Sequence, residues 1–170
     1  MDHAIHPAAL PAAELLSQCE VTRTRGSGPG GQHRNKVETA IILLHRPTGT
    51  HGEASERRSQ AENHTIAVFR LRVNLALAVR MEKFADNEVD TLWTSRIVGG
   101  RIRINPAHDD FPAMLAEALD WIENSEFDLK AASDKLDCTG SQLTKFLKRE
   151  PRAMSGVNAN RKSRGLHPLK

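Results

Sequence analysis

Aromatic residues are scarce in this chain of 170 residues, which contains five Phe, two Trp and no Tyr. Long apolar runs are missing as well, because none exceeds five residues and a membrane-spanning helix needs roughly 20. The first residues contain no basic stretch followed by an apolar one, so the sequence predicts no secretory signal. We therefore expect a cytoplasmic protein without a membrane partner.

Cysteine is nearly absent. Cys19 and Cys138 lie far apart in the sequence, and no Cys-x-x-Cys pair occurs. This spacing excludes a disulfide framework and does not fit a zinc site, so we expect no metal. Two unpaired thiols suit a reducing compartment. No motif for an organic cofactor is convincing either, and we expect none.

The chain has no large excess of charge of either sign, because its formal net charge is only +3 at pH 7. The charges are nevertheless separated along the chain. Residues 21–80 hold ten basic and four acidic residues, residues 81–147 hold seven and thirteen, and residues 148–170 hold seven and one. Two basic blocks on either side of an acidic one indicate two contacts with a polyanion and a spacer between them.

The first half of the chain has the patterning of a small α+β unit. Residues 20–25 alternate β-branched and charged side chains, which is typical of a half-exposed strand. Ser59 is a suitable N-cap for a helix with apolar residues near helical spacing. The predicted order is β-loop-β-β-α over residues 18–82, with strands at 20–25, 37–46 and 50–57 and a helix from 59 to about 80.

The second half is predicted to be mostly helical. We expect a hairpin over 97–104, a helix over 112–124, and short helices over 128–136 and 141–148 with the spacing of a helix-turn-helix. The predicted organisation is a flexible arm and short helix over 1–17, the α+β domain over 18–82, a helical extension with the helix-turn-helix-like part over 83–150, and a disordered basic tail over 151–170.

A glycine-rich segment follows the first predicted strand. Gly26 to Gly31 fits the pattern G-x-G-x-x-G, but a dinucleotide site needs a buried strand before it and a helix directly after it. The strand here is too polar, and the next predicted helix begins some 28 residues later. A phosphate-binding P-loop fails as well, because no Gly-Lys-Ser or Gly-Lys-Thr follows. The segment is then either a flexible connection or a loop with its own chemistry.

The longer string over residues 28–40, GPGGQHRNKVETA, resembles the GGQ signature of the class I peptide chain release factors and their single-domain relatives. Residues 45–49 and 56–60 resemble the strand pair and helix start that follow in the same family, so the resemblance covers about residues 18–80. It implies hydrolysis of the peptidyl-tRNA ester on the ribosome, with Gly30, Gly31 and Gln32 as the catalytic residues.

The chemistry of these residue types agrees with that implication. Glycines let the backbone approach a substrate closely and take positive φ, and a fixed backbone N–H can stabilise an oxyanion. The resemblance assigns transition-state stabilisation to the main-chain amide of Gln32, and assigns its side chain the exclusion of nucleophiles larger than water. Arg34 departs from the family, which usually carries a small apolar residue there. The residues expected to contact rRNA or tRNA are Arg23, Arg25, His33, Arg34, Asn35 and Lys36.

A codon-reading factor needs a further domain, yet only 29 residues precede Gly30, and no Pro-x-Thr or Ser-Pro-Phe occurs. We therefore expect a codon-independent factor for stalled ribosomes, a monomer whose partners are peptidyl-tRNA and the rRNA of both subunits. In the rescue-type relatives a basic tail enters the mRNA channel. The corresponding residues here are Lys148, Arg149, Arg152, Arg161, Lys162, Arg164 and Lys170.

Two other functions remain open from the sequence. One is a ribosome-binding factor without catalysis, and the other is a nucleic-acid-binding regulator based on the helix-turn-helix-like part. The acidity of residues 81–147 indicates little RNA contact in that part of the chain.

Overall fold

The computed structural model describes residues 5–25, 39–83 and 88–170. The chain divides into two units, Met1–Val79 and Arg80–Lys170. The described residues contain seven α-helices, a three-stranded antiparallel sheet and a two-stranded hairpin, so the predicted α+β class is confirmed. None of the helices in these described ranges is long and apolar enough to cross a membrane.

The sheet of the first unit consists of β1 (Cys19–Thr24), β2 (Ala40–His45) and β3 (Thr50–Ala54), in that spatial order. All neighbouring strands are antiparallel. The turn between β2 and β3 contains Gly49 at a φ of +68°, a conformation that glycine adopts without strain. The three strands occur in the predicted order along the chain.

Helix α2 (Gln60–Ala78) covers the sheet. Ser59 caps it, since its hydroxyl accepts a hydrogen bond from the Glu62 amide at 3.3 Å. Gly52 of β3 lies directly against the helix backbone. A Cβ at this position would lie 2.4 Å from the Leu71 nitrogen and 2.5 Å from the Ala67 oxygen, so only glycine allows β3 and α2 to approach this closely.

The predicted short helix before β1 is present, but residues 6–10 are packed and do not form the predicted flexible arm. Pro7–Ala9 forms a turn of 3-10 helix, and Ala12–Ser17 forms α1. Ala8 and Leu15 are fully buried, and Arg72 of α2 donates a hydrogen bond to the Leu10 carbonyl at 2.7 Å. The expectation was wrong because these few apolar side chains and one backbone carbonyl bind the segment to α2.

The second unit is a cluster of short helices around an aromatic core. Its elements are α3 (Thr91–Ser95), β4 (Ile97–Val98), β5 (Arg101–Ile102), α4 (Phe111–Asn124), α5 (Leu129–Lys135), α6 (Gly140–Leu147) and α7 (Pro151–Ser163). Phe146 contacts Trp93 edge-on at a centroid distance of 5.5 Å and Phe111 at 5.4 Å. The predicted hairpin and the helices over 112–124, 128–136 and 141–148 are present with small shifts in their bounds.

The predicted disordered tail is wrong over residues 151–163, which form α7. Pro151 occupies the first turn, where its missing N–H is tolerated, and Ala153 and Val157 are buried one turn apart. Beyond the helix, Asn158 exchanges two hydrogen bonds with the backbone of Leu169, at 2.7 and 3.2 Å. The basic charges therefore lie on a folded segment.

Candidate functional site

The glycine-rich loop lies between β1 and β2. Its predicted catalytic residues Gly30, Gly31 and Gln32 lie outside the described residues, as do His33, Arg34, Asn35 and Lys36. The described part of the site consists of the two ends of the loop, which are Arg25 after β1 and Thr39 before β2. These ends determine where the loop leaves and re-enters the fold.

The strand register brings the two ends of the loop together. Thr24 pairs with Ala40, and Arg23 pairs with Ile41, across the antiparallel β1–β2 ladder. Directly opposed residues of such a ladder have Cβ atoms about 4.5–5.5 Å apart. The loop therefore starts and ends at the same end of the β1–β2 strand pair.

Asn63 fixes the end of the loop that enters β2. The side chain is fully buried in the first turn of α2. Its Nδ2 donates to the carbonyls of Thr39 at 2.7 Å and Arg57 at 2.9 Å, and its Oδ1 accepts from the Arg57 amide at 2.9 Å. One side chain thus joins the loop end, the segment after β3 and the helix.

Sequence reasoning did not identify Asn63 as important. The available signal was its spacing, because Asn63 lies four residues before Ala67 and eight before Leu71, on the buried face of α2. An amide on such a face needs partners for its donor and acceptor groups, and here it finds them in backbone atoms.

A cleft of about 280 Å³ adjoins the loop ends and is lined by Arg25, Glu53, Glu56 and Arg70, among others. Arg70 closes one side: it pairs with Glu56 at 2.6 Å and donates to the Glu53 carbonyl at 2.9 Å. Hydrogen bonds from the backbone amides of Glu56 and Ser55, together with Arg70, hold the pKa of Glu56 below its usual value despite partial burial.

Arg23 and Arg25, predicted to contact RNA, are both exposed at this end of the β1–β2 strand pair. Neither side chain forms a hydrogen bond or ion pair with another described residue, whereas the guanidinium of nearby Arg70 is held by Glu56. Their charges are therefore available to an anionic partner. The structure places them at the base of the loop, as a contact around the loop requires.

The basic residues predicted for the C-terminal tail lie on and around α7 and are partly engaged. Arg152 pairs with Glu150 at 2.7 Å, and Arg164 lies 4.4 Å from the centre of the Phe127 ring. Arg161 donates to the carbonyls of His167, at 2.8 Å, and Phe127. Arg149 donates to the Ile104 carbonyl, while Lys148, Lys162 and Lys170 are exposed.

Cys19 and Cys138 are free thiols, and burial raises the pKa of Cys138 to about 11. Across the described ranges, no three His, Cys, Asp or Glu side chains are grouped so that they could hold a metal ion.

Comparison with known proteins settles the family. Residues 15–107, more than half of the chain, match the RF-1 domain. The chain belongs to the RF-1 domain family, that of the class I peptide chain release factors. The match includes the whole glycine-rich loop, both of its ends and Asn63.

Individual relatives agree with this membership. The chain is 36% identical over 84 residues to the chloroplastic peptide chain release factor PrfB1 of Arabidopsis thaliana, an alignment that covers 46% of this chain and 18% of that protein. It is 40% identical over 79 residues to peptide chain release factor 2 of Acidovorax sp. (strain JS42), covering 43% and 22%. It is 41% identical over 59 residues to the mitochondrial peptide chain release factor 1-like protein of Rattus norvegicus, covering 35% and 16%.

The aligned region thus spans about a fifth of the length of these RF-1 family relatives. No solved structure matches this RF-1 family chain.

Proposed function

We propose that this protein hydrolyses the ester bond of peptidyl-tRNA on the ribosome. The observation that carries the proposal is the intact Gly30-Gly31-Gln32 string within an RF-1 domain, between strand ends that lie side by side. The named relatives are peptide chain release factors, which supports the same reaction here.

In this proposal the loop is inserted into the peptidyl transferase centre. The main-chain amide of Gln32 stabilises the oxyanion that forms when water attacks the ester carbonyl, and the glycines allow the close approach. The Gln32 side chain restricts the nucleophile to water. Arg23 and Arg25 bind phosphates at the base of the loop, together with His33, Arg34, Asn35 and Lys36 along it.

We propose further that release is independent of the codon and that the protein acts as a monomer on stalled ribosomes of the cytoplasm. The support is that the family match over residues 15–107 centres on the segment with the loop, and that the printed sequence contains neither Pro-x-Thr nor Ser-Pro-Phe. A role of the basic C-terminal residues in the mRNA channel stays a prediction, and it now concerns a helix with partly engaged cations.

The test is release of labelled peptide from ribosomes stalled on a truncated message. We expect release by wild type and a loss of about a hundredfold in rate for Gly31→Ala, the scale of one oxyanion-hole donor. Gly156→Ala is the matched control, because its Cβ would enter open space on α7. Ribosome binding by wild type without any release would favour the non-catalytic alternative.

Codon independence is tested in the same assay with a second set of ribosomes. These carry a stop codon in the decoding site and a long message beyond it. We expect faster release from the truncated message. Release that requires the stop codon would contradict the codon-independent form of the proposal and leave ester hydrolysis intact.

A further inference from the structure

The second unit contains an open, strongly basic cleft. Its volume is about 580 Å³, and it is formed by the β4–β5 hairpin, the turn that follows and α6 with the residue after its C-cap. Five cationic side chains and His108 line it, and of the described residues in its walls none is acidic. The cations are Arg96, Arg101, Arg103, Lys145 and Arg149.

Most of this charge is not neutralised. The carboxylate of Asp110, at the side of the cleft, binds the Arg96 guanidinium. Arg149 donates to the Ile104 carbonyl, which orients the guanidinium and leaves its charge uncompensated. The other three side chains, those of Arg101, Arg103 and Lys145, form no hydrogen bond or ion pair with any described residue, and all three are exposed.

Cations brought together in one cleft repel one another and raise the local concentration of an anionic ligand. Guanidinium groups match phosphate geometry with two parallel hydrogen bonds. Asn105 and Gln142, also in the cleft, supply neutral donors and acceptors for ribose hydroxyls. No Phe, Tyr or Trp is among the described lining residues and His108 supplies a single ring, whereas five cations are present, which favours contact with a backbone over stacking on unpaired bases.

We propose that this cleft binds the phosphodiester backbone of folded RNA without reading its sequence. Duplex nucleic acid carries one charge per roughly 1.7 Å of axis, so it can meet four uncompensated cations within one cleft, which an acidic protein segment does less readily. This contact is made by a different unit from the glycine-rich loop and does not depend on ester hydrolysis. It differs from the expectation of little RNA contact, which came from the net acidity of residues 81–147, and the experiment below decides between the two.

The test measures binding of the full chain to a fluorescently labelled RNA hairpin by anisotropy, without ribosomes. The cleft variant is R101Q/R103Q, and the matched control is R57Q/R58Q, which removes the same charge from exposed positions of the first unit, outside the cleft. We expect the cleft variant to bind roughly tenfold to a hundredfold more weakly at about 0.1 M salt. The logarithm of the association constant decreases linearly with the logarithm of the salt concentration. The magnitude of this negative slope should be smaller by about 1.4 to 1.8, as for two lost phosphate contacts. The control should bind like wild type.

Three outcomes would overturn the proposal. The first is unchanged RNA binding by R101Q/R103Q, and the second is an equal loss in both double variants, which would indicate a general charge effect. The third is a loss confined to labelled polyglutamate or duplex DNA, which would assign the cleft to an acidic protein or to DNA. Intrinsic fluorescence of Trp93 and Trp121, both in the second unit, verifies that this unit is folded in each variant. A failure of peptide release in the ribosome assay would leave this result unaffected.

Discussion

The amide of Asn63 donates to the Thr39 carbonyl at 2.7 Å and so connects the first turn of α2 to the residue at which the glycine-rich loop rejoins the sheet. Through the same side chain, both backbone groups of Arg57 are bound as well. A loop that must place a backbone amide accurately requires ends that do not move. Asn63 provides that restraint for one end.

Replacing Asn63 by Ala should therefore lower both stability and peptide release. The buried carbonyl of Thr39 and both backbone groups of Arg57 lose their partner, and we expect the free energy of unfolding to fall by about 2–3 kcal/mol. Denaturant titration followed by far-UV circular dichroism measures this. Asn74→Ala is the control, since Asn74 lies on the same helix and donates to the His51 carbonyl at an exposed position.

The rate of peptide release by Asn63→Ala should fall below the wild-type rate even after correction for the fraction of the variant that is folded. This is measured at a temperature at which the variant remains folded, against Asn74→Ala. A variant that is destabilised but releases peptide at the wild-type rate would show that Asn63 is important for folding alone.

Gly52 gives a prediction about the packing of β3 on α2. A Cβ there would lie 2.4 Å from a helix nitrogen, and backbone atoms cannot move aside as a flexible side chain can. Gly52→Ala should therefore cost about 3 kcal/mol or more of stability. Gly49→Ala, with a φ of +68° and open space around it, should cost only about 1–2 kcal/mol. Equal losses in the two variants, measured by far-UV circular dichroism, would contradict the packing argument.

Much of the first unit could be predicted because its signals are local. Alternation identified β1, and Ser59 marked the start of α2. Gly52 and Asn63 could not be identified as structural anchors, because what makes them essential is contact between segments that are distant in sequence. The RF-1 family itself was recognisable from the string around Gly30.

The second unit shows where local signals mislead. Residues 151–163 contain Pro, Gly, Ser and Asn, which are typical of a loop, yet burial of Ala153 and Val157 is sufficient for a helix. The five residues of α3 are too few for a helical period to be visible. Net charge also hides local detail, since the fold collects cations in one cleft although acidic residues outnumber basic ones over residues 81–147.

Asp120 gives the second unit a distinctive dependence on pH. Burial raises the pKa of Asp120 to about 6, even though Met81 and Arg80 each donate a hydrogen bond to it at 3.1 Å. The ordinary value in the unfolded chain is 3.8. Between these values the unfolded state loses its proton and the folded state keeps it, so this group's contribution to stability declines as pH rises from about 4 to 6 and is constant above.

Asp120→Asn removes that contribution, so the stability of the variant relative to wild type should increase by up to about 3 kcal/mol between pH 4 and pH 7. Denaturant titrations followed by tryptophan fluorescence report on this unit, which contains both Trp residues. Glu123→Gln, an exposed carboxylate on the same helix, is the control. A stability difference that stays constant with pH would rule out the linkage.

His45 should give the first unit the opposite trend. Burial lowers the pKa of His45 from 6.5, and its ring nitrogens hydrogen-bond to Gln18 at 2.9 Å and Thr48 at 2.8 Å. As pH falls below about 6.5, the unfolded chain takes up a proton that the folded state resists, so stability declines. Far-UV circular dichroism at about pH 7.5 and pH 5.5 should show this loss in wild type and a smaller one in His45→Gln.

Arg23 and Arg25 give a prediction about binding to the ribosome. Both are exposed beside the loop ends without a described partner, so each can neutralise one phosphate. In R23Q/R25Q the magnitude of the negative slope of log affinity against log salt concentration should be smaller by about 1.4 to 1.8. Binding should be weaker than that of wild type. Arg57→Gln combined with Arg58→Gln, also exposed in this unit, is the matched control, and sedimentation of the protein with ribosomes measures the affinity. A slope equal to that of wild type would mean that the two arginines face solvent in the complex, and the RNA contact would then have to lie elsewhere along the loop.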